Sequence, residues 1–160
     1  MTEPVFTRSL FDYFDESFAI NPRKSVLELV ADSDAYGLVT QQLENLLLPV
    51  ACDLSIHMQL ELVLEELITN IVNHAYPDKR QGHIACILLL IERTLLIKIS
   101  DDGDPFDPFS LPAPDLSLSI AERPIGGLGV HLIRSYMNDY AYRFHNGLNQ
   151  VVLKKTLSAA

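Results

Sequence analysis

Between Leu60 and Tyr76 the chain carries an apolar repeat that a helix can bury along one side, with three polar side chains threaded through it at a fixed interval. Leu60, Val63, Leu64, Leu67, Ile68, Ile71 and Val72 recur at the i, i+3, i+4 spacing of a core-facing stripe. Glu66, Asn70 and His74 stand four apart, so a helix aligns them in one row at the border of that stripe. Acid and amide side chains placed there can serve a nucleotide and its metal. Taken alone, the same row also fits a solvated helix face ending in a histidine that the helix dipole favours.

The spacing predicts this helix from Leu54 or Ser55, with Ser55 as its N-cap, to about His74, where Tyr76-Pro77-Asp78 breaks it. Before it, Ser25 to Val30 reads as a short strand, and Asp32-Ser33-Asp34 supplies capping side chains for a helix from Tyr36 to Leu48. Leu38, Leu43, Leu46 and Leu47 give that helix its stripe, and Pro49 ends it. After it, the apolar runs His83 to Ile91 and Thr94 to Ile99, parted by Glu92-Arg93, read as a hairpin of two largely buried strands. The second strand runs into Ser100-Asp101-Asp102-Gly103. Residues 104–125, with five prolines, read as a long loop, and loops of that length bind, cover or regulate something. Gly126-Gly127-Leu128-Gly129 closes the loop and opens a helix from about Val130 to Met137; strands from Asp139 to Phe144 and Gln150 to Lys155 follow, joined through Asn146-Gly147.

With 160 residues, 48% of them hydrophobic, one well-buried domain is expected, over residues 19–160. Residues 1–18, where polar and aromatic side chains alternate (Phe6, Leu10, Phe11, Tyr13, Phe14), read as an arm, either poorly fixed or an extra element that packs or pairs with a partner. A formal net charge of -9 argues against a nucleic-acid surface or an anionic membrane as partner. No apolar run approaches the roughly 20 residues of a membrane span, and the start lacks a signal peptide's basic and apolar regions, so a cytoplasmic location is expected. Cys52 and Cys86 stand in neither a CxxC pair nor a zinc spacing and read as buried reduced thiols.

Three segments carry the chemistry. Asp101, at the end of an apolar strand, is an acceptor suited to the exocyclic amine of adenine, with Gly103 letting a base lie against backbone; the plain alternative is a surface turn. Glycines 126, 127 and 129 permit close backbone approach, and the free N–H groups of the next helix's first turn favour a phosphate; the plain alternative is a tight connection.

In this order and spacing the segments resemble the GHKL ATPase superfamily, most closely its anti-sigma-factor branch of serine/threonine kinases. Glu66-x-x-x-Asn70-x-x-x-His74-Ala75-Tyr76 looks like that branch's N box, Asp101-x-Gly103-x-Pro105-Phe106-Asp107-Pro108 like its first glycine box, and Gly127-Leu128-Gly129 like its second. The resemblance covers roughly residues 20–156. It implies a Bergerat-type ATP site in a two-layer α/β sandwich, with helices on one face of a mixed, mostly antiparallel sheet. By that resemblance Asn70 ligates Mg²⁺ that bridges the ATP phosphates, Asp101 binds the adenine amine, and Glu66 is the general base of phosphoryl transfer. Asn73, Gly103, Pro105, Phe106, Gly126, Gly127, Leu128, Gly129 and Val130 complete the nucleotide-contacting set, residues 104–125 form a lid, and His74 is structural.

One departure matters. The best-known kinases of the branch have an arginine immediately before the second glycine box, where this chain has Ile125; Arg123 lies two residues earlier. Two functions follow from the resemblance. The first is an ATP-dependent kinase acting on a STAS-type anti-anti-sigma protein in a partner-switching circuit. The second is an ATP-gated module that sequesters a sigma factor without turnover. Either is compatible with a homodimer.

Overall fold

The computed structural model describes residues 9–15, 22–110, 117–119 and 127–158. Five strands, β1 (Arg23–Val30), β2 (His83–Ile91), β3 (Thr94–Asp101), β4 (Asp139–His145) and β5 (Leu148–Thr156), form one sheet in the order β1-β2-β3-β5-β4. Every neighbouring pair is antiparallel, so the expected mixed character of the sheet is absent among the described residues. Three helices, α1 (Ala35–Leu47), α2 (Leu54–His74) and α3 (Gly127–Tyr136), cover one face.

The sheet separates two apolar layers because its side chains alternate. Ile84, Cys86, Leu88, Leu95, Ile97, Ile99 and Leu153 point to the helices and are almost fully buried with Leu43, Leu60, Leu64 and Ile68. On the other face Leu89, Leu96 and Val152 make a smaller layer, closed by Leu10 of a 3-10 turn, Leu10–Phe14, from the aromatic arm. No helix among the described residues is long and apolar enough to cross a membrane. The β4–β5 connection is the expected Asn-Gly turn: φ is 52° at Asn146 and 77° at Gly147, the pair of positive values whose twist matches an antiparallel hairpin.

Several boundaries differ from the sequence expectations for identifiable reasons. The cap of α2 is Asp53, whose carboxylate accepts the backbone N–H of Ser55 at 3.1 Å, rather than Ser55 itself. Asp32 likewise accepts from Asp34 N, while Asp34 at the N-cap of α1 makes no side-chain cap bond. On α1, Val39 is buried and Leu38 is exposed, which rotates the stripe by one position. Strand β1 starts two residues early, β3 runs on to Asp101, and β5 starts at Leu148; in each case pairing with a neighbour extends the strand past its apolar stretch. Helix α3 starts at Gly127 instead of Val130, so two glycines lie within its first turn rather than before it. Of the two cysteines, Cys86 is fully buried, but Cys52 is half-buried, with its Sγ 3.0 Å from His57 Nε2.

Candidate functional site

A cavity of about 480 Å³ opens where α2, α3 and the ends of β3, β4 and β5 meet the chain leaving β3. Leu67, Ile71, Ile99, Val130, Ile133 and Val151 make most of its wall apolar, and Asn70, His74, Asp101, Tyr142 and Asn149 bring polar groups to it. An apolar slot with a few convergent polar groups is the usual form of a small-ligand site.

Asp101 is the best-defined polar group. It is the last residue of β3, lies directly across from Asn149 of β5, and is 6% exposed. Its Oδ1 accepts from Gly103 N at 3.0 Å and from Asn149 Nδ2 at 3.1 Å, while Oδ2 has no hydrogen-bond partner among the described residues. Burial raises its pKa above the ordinary carboxylate value, and the two hydrogen bonds only partly oppose this. An acceptor with one oxygen held and one unused is therefore presented to an apolar slot.

Asn149 organises the surroundings. Its amide N–H groups reach Asp101 Oδ1, Gly103 O (3.3 Å) and Asp104 O (2.9 Å), and its Oδ1 accepts from Tyr142 Oη (2.6 Å) and Phe106 N (3.0 Å). Donors on one side and acceptors on the other leave a single orientation for the amide. This one residue ties the strand-end carboxylate to Gly103, Asp104 and Phe106 of the chain that follows.

Beside it, α2 and α3 meet at Gly129. A Cβ there would lie 3.1 Å from Glu66 Cβ, 3.4 Å from Glu66 Oε2 and 3.5 Å from Asn70 Nδ2, so glycine lets the first turn of α3 close on these two side chains without displacing Glu66 by a few tenths of an ångström. The residues expected to serve phosphate and metal are thus neighbours, with first-turn N–H groups of a helix, which have no partner within the helix itself, next to them. Gly127 and Leu128 belong to that turn; Gly126, Arg123 and Ile125 lie outside the described residues, as do residues 111–116 of the expected lid.

Other expected site residues are placed differently. Pro105, Phe106 and Val130 line the cavity, but Gly103 does not: a Cβ on it would sit 2.5 Å from Ala75 Cβ and 2.6 Å from Ala75 O, so this glycine docks the strand end onto the end of α2. Asn73 is exposed and does not line the cavity, one helical step away from Asn70 and His74, which do. His74 lines the cavity, and its side chain makes no hydrogen bond among the described residues.

Behind the cavity, the end of α2 is locked to the end of β3. Tyr76 Oη reaches Asp102 Oδ1 at 2.8 Å and His83 O at 3.2 Å, and Arg80 both lies over the Tyr76 ring at 4.8 Å and reaches Asp102 Oδ2 at 3.2 Å. A Cβ at Gly82 would fall 2.0 Å from the Tyr76 ring, so the ring occupies that side-chain space. Burial pushes the Asp102 carboxyl up, but the donors His83 N, Tyr76 Oη and Arg80 outweigh it and hold its pKa below the ordinary value.

The profile of the histidine kinase-like ATPase domain matches residues 29–155 of this sequence, most of the chain and all of the cavity wall. The chain belongs to the histidine kinase-like ATPase domain family. Among curated proteins this ATPase domain is similar to the serine/threonine-protein kinase BtrW of Bordetella bronchiseptica, at 31% identity over 137 residues, covering 84% of this chain and 94% of that protein. It is also similar to the serine-protein kinases RsbW of Listeria monocytogenes (31% over 99 residues) and Bacillus subtilis (29% over 100 residues). Each of those two matches covers 59% of this chain, and 63% and 62% of the respective relative. Among solved structures, that of the RsbU and RsbW domains of Rv1364c from Mycobacterium tuberculosis matches 86% of the chain and 33% of its own length, with a TM-score of 0.61 at 18% identity, which establishes the shared fold.

Within this ATPase domain, sequence reasoning missed Asn149 and Tyr142. Both lie on the inward face of their strands beside Asp101, a position that only the antiparallel register of β3, β5 and β4 supplies. The Asn146-Gly147 turn fixes the β4–β5 register only; the pairing of β3 with β5 that sets Asn149 opposite Asp101 is non-local.

Proposed function

We propose that this chain is an anti-sigma regulatory factor that binds ATP with Mg²⁺ and phosphorylates a serine or threonine of a STAS-type anti-anti-sigma protein. The observation that carries the reading is the company kept around one cavity: the unused Asp101 oxygen in an apolar slot, Asn70 of α2 on its wall, and Glu66, outside the cavity lining, beside Gly129 in the first turn of α3. In this reading Asp101 accepts the adenine amine, the apolar wall takes the ring, and the first-turn N–H groups of α3 with Gly129 take phosphate oxygens. Asn73 and Gly103, which the cavity does not include, contribute through the helix end and not by contact.

The donor set suits Mg²⁺. No group of three or more His, Cys, Asp or Glu side chains among the described residues makes a protein cage, whereas Asn70 offers one hard oxygen beside an acidic neighbour. Mg²⁺ is commonly held in that way, with phosphates and waters as its remaining ligands. When bound it neutralises phosphate charge. Glu66 then acts on the partner: its carboxylate takes the proton of the attacking hydroxyl as the hydroxyl oxygen bonds to the terminal phosphorus and the bond to the ADP oxygen breaks. The kinase names of BtrW and RsbW support this reading.

The second reading, an ATP-gated module that sequesters a sigma factor without turnover, is favoured by one feature, Ile125 in place of the arginine beside the second glycine box. Incubation with labelled ATP, Mg²⁺ and the cognate STAS protein separates them. Transfer by the wild type that drops by at least about a hundredfold in Glu66→Ala supports the kinase. ATP-dependent partner capture with no labelled product supports sequestration, and equal transfer by Glu66→Ala removes the role given to Glu66.

A further inference from the structure

We propose that Asn149 is the residue that sets base specificity, by fixing Asp101 as an acceptor-only carboxylate and so selecting a 6-aminopurine over a 6-oxopurine. The inference rests on the nucleotide reading above and goes beyond it, because it assigns the discrimination to a residue that neither the motifs nor the site's known chemistry single out.

A carboxyl group in an apolar slot has two ways to read a purine. Ionised, it only accepts and takes an amine; protonated, it can donate and take a carbonyl oxygen. Burial at 6% exposure pushes Asp101 towards the second form. The geometry opposes it. Asn149 Nδ2 and Gly103 N both donate to Oδ1, and two donors on one oxygen favour the ionised carboxylate over the neutral acid. The amide cannot turn its oxygen towards Asp101 instead, because Tyr142 Oη and Phe106 N donate to its other end. Oδ2 remains for the ligand, as an acceptor. The same amide holds Gly103 O and Asp104 O, so the orientation of the carboxylate and the entry of the covering loop are set by one side chain.

Buried polar groups left unpaired are what make such a site reject the wrong ligand. The cleanest pair of probes is ATP and inosine triphosphate, which differ at position 6 (amino or oxo) and, with it, at the adjoining N1 (acceptor in adenine, N–H in hypoxanthine). Equilibrium titrations of the full chain with each, at fixed Mg²⁺, give the ratio of dissociation constants. The wild type should favour ATP by at least about tenfold. Asn149→Leu, which matches the side chain in size without its hydrogen bonds, should bring the ratio to within about threefold of unity, mainly by weakening ATP. Tyr142→Phe keeps Phe106 N as one of the two donors that orient the amide, and should lower the ratio by about two- to fivefold with the fold intact. It keeps the inference testable if Asn149→Leu does not fold.

A residue that merely supported the fold would weaken both nucleotides alike and leave the ratio where it was. An unchanged ratio in a folded Asn149→Leu, or in Tyr142→Phe where the first variant fails to fold, overturns the assignment to Asn149 while the nucleotide site stands. A wild type that binds ATP without preferring it to inosine triphosphate also overturns it. If the wild type binds neither nucleotide, the nucleotide reading itself falls and takes this inference with it.

Discussion

Asp101 and Asp102 are adjacent, yet the structure moves their protonation in opposite directions. Burial dominates at Asp101 and raises its pKa; at Asp102 the donors from His83, Tyr76 and Arg80 win and lower it. By linkage, an ionised Asp101 costs folding stability at neutral pH, a cost relieved as pH falls through its raised pKa. Asn at this position keeps the acceptor for Gly103 and Asn149 without the charge. Asp101→Asn should therefore raise the melting temperature of the ligand-free protein at pH 7 and lower ATP affinity by at least about tenfold, read by thermal unfolding and by titration. A fall in both would mean that the carboxylate is structural. Asp101 was legible only in combination with the other two segments, because Asp101-Asp102-Gly103 at a strand end also reads, alone, as a surface turn. Asn149 was not, because nothing in Leu148-Asn149-Gln150 shows which of the three faces the slot until the register is known.

At the level of elements, the site depends on the end of α2 being held to the end of β3. Tyr76 is the fastener, with its ring in the space that Gly82 leaves and its hydroxyl on Asp102. Tyr76→Phe should cost about 1 kcal/mol or less, since Asp102 is partly solvated. The sign with pH follows from the lowered Asp102 pKa: its contribution is present above the ordinary carboxylate pKa and lost as pH falls through the depressed one. The difference in melting temperature between wild type and Tyr76→Phe should thus be largest near neutrality and shrink in acid; a difference that grows in acid would contradict the assignment. Helix identities were readable from periodicity because each helix buries one face, and β2 and β3 from continuous apolar runs because the sheet buries both of its faces there. The start of α3 was not, since glycines at 127 and 129 carry a helix-propensity penalty that argues for a loop. Packing of Gly129 against Glu66 and Asn70 overrides that local preference.

For the whole molecule, the sheet divides labour between its two faces. The helical face holds the cavity, while the outer face is closed in part by Leu10, with the Phe11 ring 4.2 Å from the Arg143 guanidinium and the Phe14 ring 5.1 Å from Lys98 Nζ. Leu10→Ala should lower unfolding free energy by about 1–3 kcal/mol in denaturant titrations and leave ATP affinity within about twofold, because the layers do not share side chains. The arm's aromatic alternation suggested a packing element, but which surface it covers follows only from the assembled sheet. The central claim, a Mg²⁺-assisted nucleotide site anchored on Asn70 and Asp101, is tested most directly by calorimetric titration of the full chain with ATP, with Mg²⁺ and then with chelator. One ATP per chain should bind, with affinity falling by at least about tenfold on chelation and a much smaller Mg²⁺ dependence in Asn70→Ala. A folded wild-type protein that takes up no ATP at millimolar nucleotide and Mg²⁺ would contradict it.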